Sequence, residues 1–165
     1  MEIKLSLALP RDELSVPVVR RLLRDSLLVL GAREECIEDI ELALTEACTN
    51  VLDHAHEGSE YEVSAGVDGD QCVLEVVDHG GRAFDGTKLG LAEADPSAEE
   101  GRGIQLMRAL VDRVTFINQP RDGTVVHLEK QLFWHEDSVI HRLTAGRPGT
   151  VHGPWSRDQP RQAPH

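Results

Sequence analysis

The chain has 165 residues and carries 17 Lys and Arg against 29 Asp and Glu, a formal charge of −12. Such a balance repels phosphate backbones, so direct nucleic-acid binding is excluded as a general role. The length suffices for one domain with a core that needs no disulfide or metal staple, and no apolar run approaches the ~20 residues of a membrane span.

Aromatics make up 4% of the chain, so the core must be built mainly from Leu, Val, Ile and Ala. Residues 2–9 alternate apolar and polar side chains and predict an edge strand ended by Pro10. That alternation is not the pattern of a signal peptide, and a cytoplasmic protein is expected. Residues 16–30 have apolar positions at helical spacing, with Ser15 as N-cap and Gly31 as the C-terminal stop. A second helix is predicted over residues 34–55, its apolar stripe formed by Ile37, Ile40, Leu44, Ala47 and Val51.

Residues 61–67 and 72–77 read as a hairpin turned by Asp68, Gly69 and Asp70. A long loop rich in Gly, Asp and Pro follows, to about residue 100. Loops of that length inside a compact domain tend to be functional. Residues 103–111 predict a third helix, and 113–118 and 124–132 two strands joined by a turn at 121–123. Cys36, Cys48 and Cys72 are odd in number and lack ligand spacing, which suits small buried residues rather than a zinc or redox site. The expected division is a folded domain over residues 1–135 and a disordered tail, rich in Arg, Pro and Gly, over 136–165. The element order predicts a two-layer α/β sandwich with helices on one face of a mixed, mainly antiparallel sheet.

The most informative residues lie on the second helix. Glu46, Asn50, Asp53 and His54 fall at steps of three and four, so they share a face beside the apolar stripe. Core packing does not require a carboxylate, an amide and an imidazole in that line. Oxygen ligands for a hard cation and a base would come from such a set. Asp78 ends an apolar strand and is followed by Gly80, a pairing suited to holding a base amino group while a ligand nears the backbone. Gly101 and Gly103 bracket Arg102 at the expected start of the third helix, an anion site in form. Thr124, in a turn after Gly123, would add a hydroxyl. Arg20, Arg21 and Arg24 form a basic stripe on the first helix, readable as a partner contact or as an ordinary solvated face.

Taken in order, these segments resemble the GHKL ATPase superfamily (the Bergerat fold), and within it the anti-sigma factor serine kinases of the RsbW and SpoIIAB type. The resemblance spans roughly residues 5–132. Its N-box pattern matches Glu46 to Asn50 with His54 beyond, its G1 box Asp78 and Gly80, and its G2 box Gly101 to Met107. Gly123 and Thr124 are similar to its closing turn. Where the family has a second G1 glycine this chain has Arg82 or Ala83.

The resemblance implies an ATP pocket between helices and sheet, with Mg²⁺ on Asn50 and Glu46 as general base toward a serine hydroxyl. Asp78 would hold adenine, and Asp53 and His54 would serve the adenosine side. A lid over residues 86–100 would hinge at Gly101–Gly103. The implied function is an anti-sigma factor that binds a sigma factor and phosphorylates a serine of an anti-anti-sigma protein of STAS type, with a homodimer expected by the same likeness. The altered G1 box favours a second reading, a nucleotide-sensing or sequestering module with little transfer chemistry.

Overall fold

The computed structural model describes residues 2–54, 60–78, 99–119 and 123–145. The chain begins with strand β1 (Glu2–Pro10), followed by helices α1 (Ser15–Leu30) and α2 (Glu34–His54). A hairpin follows, β2 (Glu60–Asp68) and β3 (Gln71–Asp78), turned at Gly69 with φ +59°. Helix α3 (Glu99–Leu110), strands β4 (Arg113–Gln119) and β5 (Gly123–Gln131), and helix α4 (Val139–Ala145) complete the order. The sheet runs β1-β2-β3-β5-β4, and all four pairings are antiparallel, so the parallel pair that a mixed sheet would contain is absent among the described residues.

Period-two patterning fixes the faces. Val63, Ala65 and Val67 of β2, Cys72, Leu74 and Val76 of β3, and Val126 and Leu128 of β5 are buried on the inner face. Against them α2 packs Ile37, Ile40, Leu44 and Ala47, all at 0% exposure, while α3 contributes Ile104 and Met107. Each fully buried aliphatic side chain contributes about 1.5–3 kcal/mol to folding, which makes the stripe of α2 the centre of the core. All three cysteines are buried and free, as their placement in apolar runs implies.

Polar ties lock the layers. Lys130 Nζ, on β5, donates to Asp39 Oδ2 of α2 at 2.7 Å and to the Leu110 carbonyl at the end of α3 at 2.6 Å. A cation at that position also complements the helix C-terminus. Ser15 is not the N-cap of α1: that position is Leu14, with no side-chain cap bond. The Ser15 hydroxyl instead reaches the Asp12 carbonyl at 2.6 Å and the Tyr61 hydroxyl at 2.7 Å, fastening α1 to β2. Gly31 does end α1, at φ +91°, and its αL conformation closes the last turn onto Leu27 and Leu28.

The folded region extends past residue 135. Trp134 is buried, donates Nε1–H to Asp70 at 2.9 Å and bridges to Ala32. Helix α4 then buries Ile140, and a Cβ on Gly31 would stand 2.6 Å from Ser138 Cβ, so the two segments are in close contact. Residues 136–145 are therefore not part of a disordered tail. The apolar pair Val139–Ile140 is too short a pattern to reveal this in sequence.

Candidate functional site: the polar face of the second helix

Helix α2 brings Glu46 and Asn50 to the side covered by α3. Glu46 is half-buried and makes no hydrogen bond or ion pair among the described residues. Asn50 Nδ2 is buried and has no hydrogen-bond partner among the described residues. Gly103 lies directly opposite: a Cβ there would stand 2.8 Å from Glu46 Oε2 and 3.6 Å from Asn50 Oδ1. The glycine matters because it removes the one side chain that would fill the space between the helices. An amide oxygen and a carboxylate are hard donors of the kind Mg²⁺ accepts, so the chemistry of this donor set fits such a group.

Gly101, Arg102 and Gly103 lie in the opening turns of α3. Arg102 points to solvent. The remaining residues of the expected lid, 86–98, lie outside the described residues, as do Gly80, Arg82 and Ala83.

Asp78 ends β3, 5% exposed, with Tyr61 and Thr124 as its partners across β2 and β5. The backbone register thus pairs Thr124 with Asp78. Asp78 is paired with a residue that sequence reasoning missed, Arg11, whose Nη2 donates to Asp78 Oδ1. Arg11 Nη1 also donates to the Val51 carbonyl of α2 at 3.1 Å. Burial holds the Arg11 guanidinium below its ordinary pKa. A single arginine in a turn after a strand carries no periodic or motif signal, so only the fold reveals it.

Asp53 is exposed and lines a cavity of about 610 Å³ between α1 and α2, together with Arg11, Glu13, Arg20, Thr45 and Thr49. The structure therefore sets it toward α1. His54 is the last residue of α2. In the basic stripe of α1, Arg24 pairs with Glu34 and Glu41, Arg21 with Asp25 at 2.8 Å, and Arg20 approaches Glu41 at 3.9 Å; Arg20 and Arg21 remain largely exposed.

Comparison with known proteins fits this geometry. The family model of histidine kinase-like ATPase domains matches residues 9–130. The chain is 31% identical over 153 residues to the serine-protein kinase RsbW of Bacillus pumilus, covering 85% of this chain and 91% of that protein. It is 32% identical over 105 residues to the anti-sigma F factor of Pasteuria penetrans, covering 59% and 70%. In fold it is similar to the crystal structure of the RsbU and RsbW domains of a Mycobacterium tuberculosis protein, with TM-score 0.61 and 23% identity, over 79% of this chain and 32% of that one. The chain belongs to the histidine kinase-like ATPase family, and within it to the RsbW group of serine-protein kinases.

Proposed function

We propose that this protein is an ATP-dependent protein serine kinase and anti-sigma factor, and that Glu46 and Asn50 beneath Gly103 are the centre of its chemistry. The observation that carries the reading is the pairing of an unengaged carboxylate with an orphaned buried amide on one helix face. The names of the similar proteins, serine-protein kinase and anti-sigma F factor, support it.

In this reading Asn50 holds Mg²⁺ through its amide oxygen, and Asp78 accepts a hydrogen bond from the adenine amine. When bound there, Mg²⁺ would offset charge on the transferred phosphoryl group. Glu46 accepts the proton of a serine hydroxyl as that oxygen bonds to the γ-phosphorus and the bond to the leaving ADP breaks. The products are phosphoserine, ADP and a proton carried by Glu46. Gly103 leaves room for the phosphates by leaving out a side chain. Thr124, beside Asp78 on β5, and Gly80, Gly101 and Arg102 complete the nucleotide set, with Asp53 and His54 beyond it.

The protein substrate is an anti-anti-sigma protein of STAS type, and the sequestered partner is a sigma factor. Among the described residues no helix is long and apolar enough to cross a membrane, which is compatible with work in the cytoplasm. Edge strand β1 offers a pairing surface for a homodimer.

The test is direct. The protein, ATP and Mg²⁺ are incubated with a panel of STAS-type proteins, and phosphoserine is read by mass spectrometry, alongside calorimetric titration with ATP. Magnesium-dependent binding with phosphoserine on a partner is the expected result. Binding without transfer to any partner would favour the sequestering module that the altered G1 segment suggests. No binding at about millimolar ATP, where association is worth about 4 kcal/mol, would overturn the pocket.

A further inference from the structure

Arg11 stands at an unusual junction. Its side chain is 10% exposed, and that of Asp78 is 7% exposed. One end of the guanidinium meets the carboxylate at the end of β3; the other meets the carbonyl of Val51, the residue after Asn50 on α2. Its Nε is buried with no partner among the described residues, so its two bonds lie at the Nη ends of the fork. The turn that carries it is fixed on both sides. Asp12 N–H bonds the Pro10 carbonyl at 2.8 Å, and Ser15 N–H bonds the Asp12 carbonyl at 2.9 Å. The Ser15 hydroxyl is held by Tyr61, which is fully buried and is the strand partner of Asp78. A planar, always-charged fork on so rigid a mount sets the position of whatever it grips.

We propose that Arg11 is the positioning residue of the adenine pocket, fixing the Asp78 carboxylate relative to α2 so that the carboxylate selects a purine bearing a 6-amino group. The inference rests on the reading of Asp78 as the acceptor for adenine. Arg11 compensates the buried negative charge, and its second bond, to Val51, ties the adenine side of the site to the helix bearing Asn50 and Glu46. A carboxylate free to swing would accept a hydrogen bond from water as readily as from the base, and discrimination would fall.

The probes are ATP and purine riboside 5′-triphosphate, which lacks the 6-amino group, each titrated calorimetrically with Mg²⁺ into the full chain. The wild-type protein is expected to prefer ATP by about tenfold or more, the effect of one hydrogen bond to a buried charged acceptor. Arg11→Met should bring the ratio of the two affinities close to one, and Arg11→Lys, which keeps the charge but not the fork, should retain part of it. Equal weakening toward both nucleotides, with the ratio intact, would show a merely structural role and overturn the proposal. Tighter ATP binding by Arg11→Met would show that Arg11 competes for the carboxylate, and would also overturn it. Should Arg11→Met fail to fold, a wild-type ratio in Arg11→Lys and in Arg11→Gln would overturn the proposal, and a graded loss would support it. Asp78→Asn separates the two layers: an unchanged ratio there removes the adenine reading itself, and the role of Arg11 with it.

Discussion

In the first half of α2, Asp39 accepts from Lys130, Glu41 accepts from Arg24, and the Thr45 hydroxyl donates to the Glu41 carbonyl. In the second half, Glu46 has no partner among the described residues and Asn50 Nδ2 is buried with none. Both halves share one apolar stripe and one core, so burial alone does not account for the difference. Polar groups that hold a fold are satisfied within it; groups that serve a ligand are left for the ligand to satisfy. On the proposed reading, position along a single helix separates structural polarity from functional polarity.

The comparison breaks most visibly at Glu46. Glu46→Gln should lower phosphoryl transfer by about 10²-fold or more while ATP binding and thermal stability stay near wild type. Transfer at the wild-type rate would mean that the unpaired carboxylate is not the base. Gly103→Ala sharpens the same point without altering a charged group. The new methyl meets the far end of a flexible side chain, so the carboxylate moves instead of the backbone. Stability should stay within about 1 kcal/mol, helped by the better helix propensity of Ala, and transfer should fall at least about tenfold as Glu46 is displaced. A denaturant melt beside a rate measurement distinguishes these effects.

The paired half should respond in the opposite sense. Lys130→Met removes two bonds and should cost about 1–2 kcal/mol in urea unfolding, with transfer per folded molecule unchanged. A drop in transfer without loss of stability would erase the distinction between the halves. The smallest effect near neutrality belongs to the Cys48–Tyr61 contact and to Cys72. Burial pushes both thiols up to about 12 from 9, and the Tyr61 hydroxyl up to about 12 from 10. The folded state thus favours their protonated forms. Their contribution is complete below about pH 9 and is lost as pH rises toward about 12, where the unfolded chain has already released its protons. Melting temperature should be flat from pH 7 to 9 in this respect and fall above it.

Much of the fold is legible in the chain because single-element periodicity decides it. The stripe Ile37, Ile40, Leu44, Ala47 and Val51 is buried as a unit, and the hairpin turned at Gly69 keeps its alternation. What escaped depends on distant contacts. Gly103 has poor helix propensity, yet α3 continues through it where it packs against Glu46 and Asn50 of α2. Ser15 has the chemistry of a cap, but Tyr61 competes for its hydroxyl. Arg11 acquires meaning only when the sheet carries Asp78 to it. Glu46 and Asn50 were readable because they share a helix face, whereas the partner that frames them, Gly103, comes from a helix more than fifty residues away.

The gap between α2 and α3 is set by a carbon atom that is not there. Because Gly103 contacts the ends of Glu46 and Asn50 and not their backbone, a larger residue would disturb the reaction before it disturbed the architecture. On the proposed reading, the path from a transferring enzyme to a sequestering protein is short: one substitution at this position would weaken the chemistry while leaving the sheet and the helices in place. Activity and folding can drift independently in such a chain, and relatives that keep the fold need not all keep the reaction.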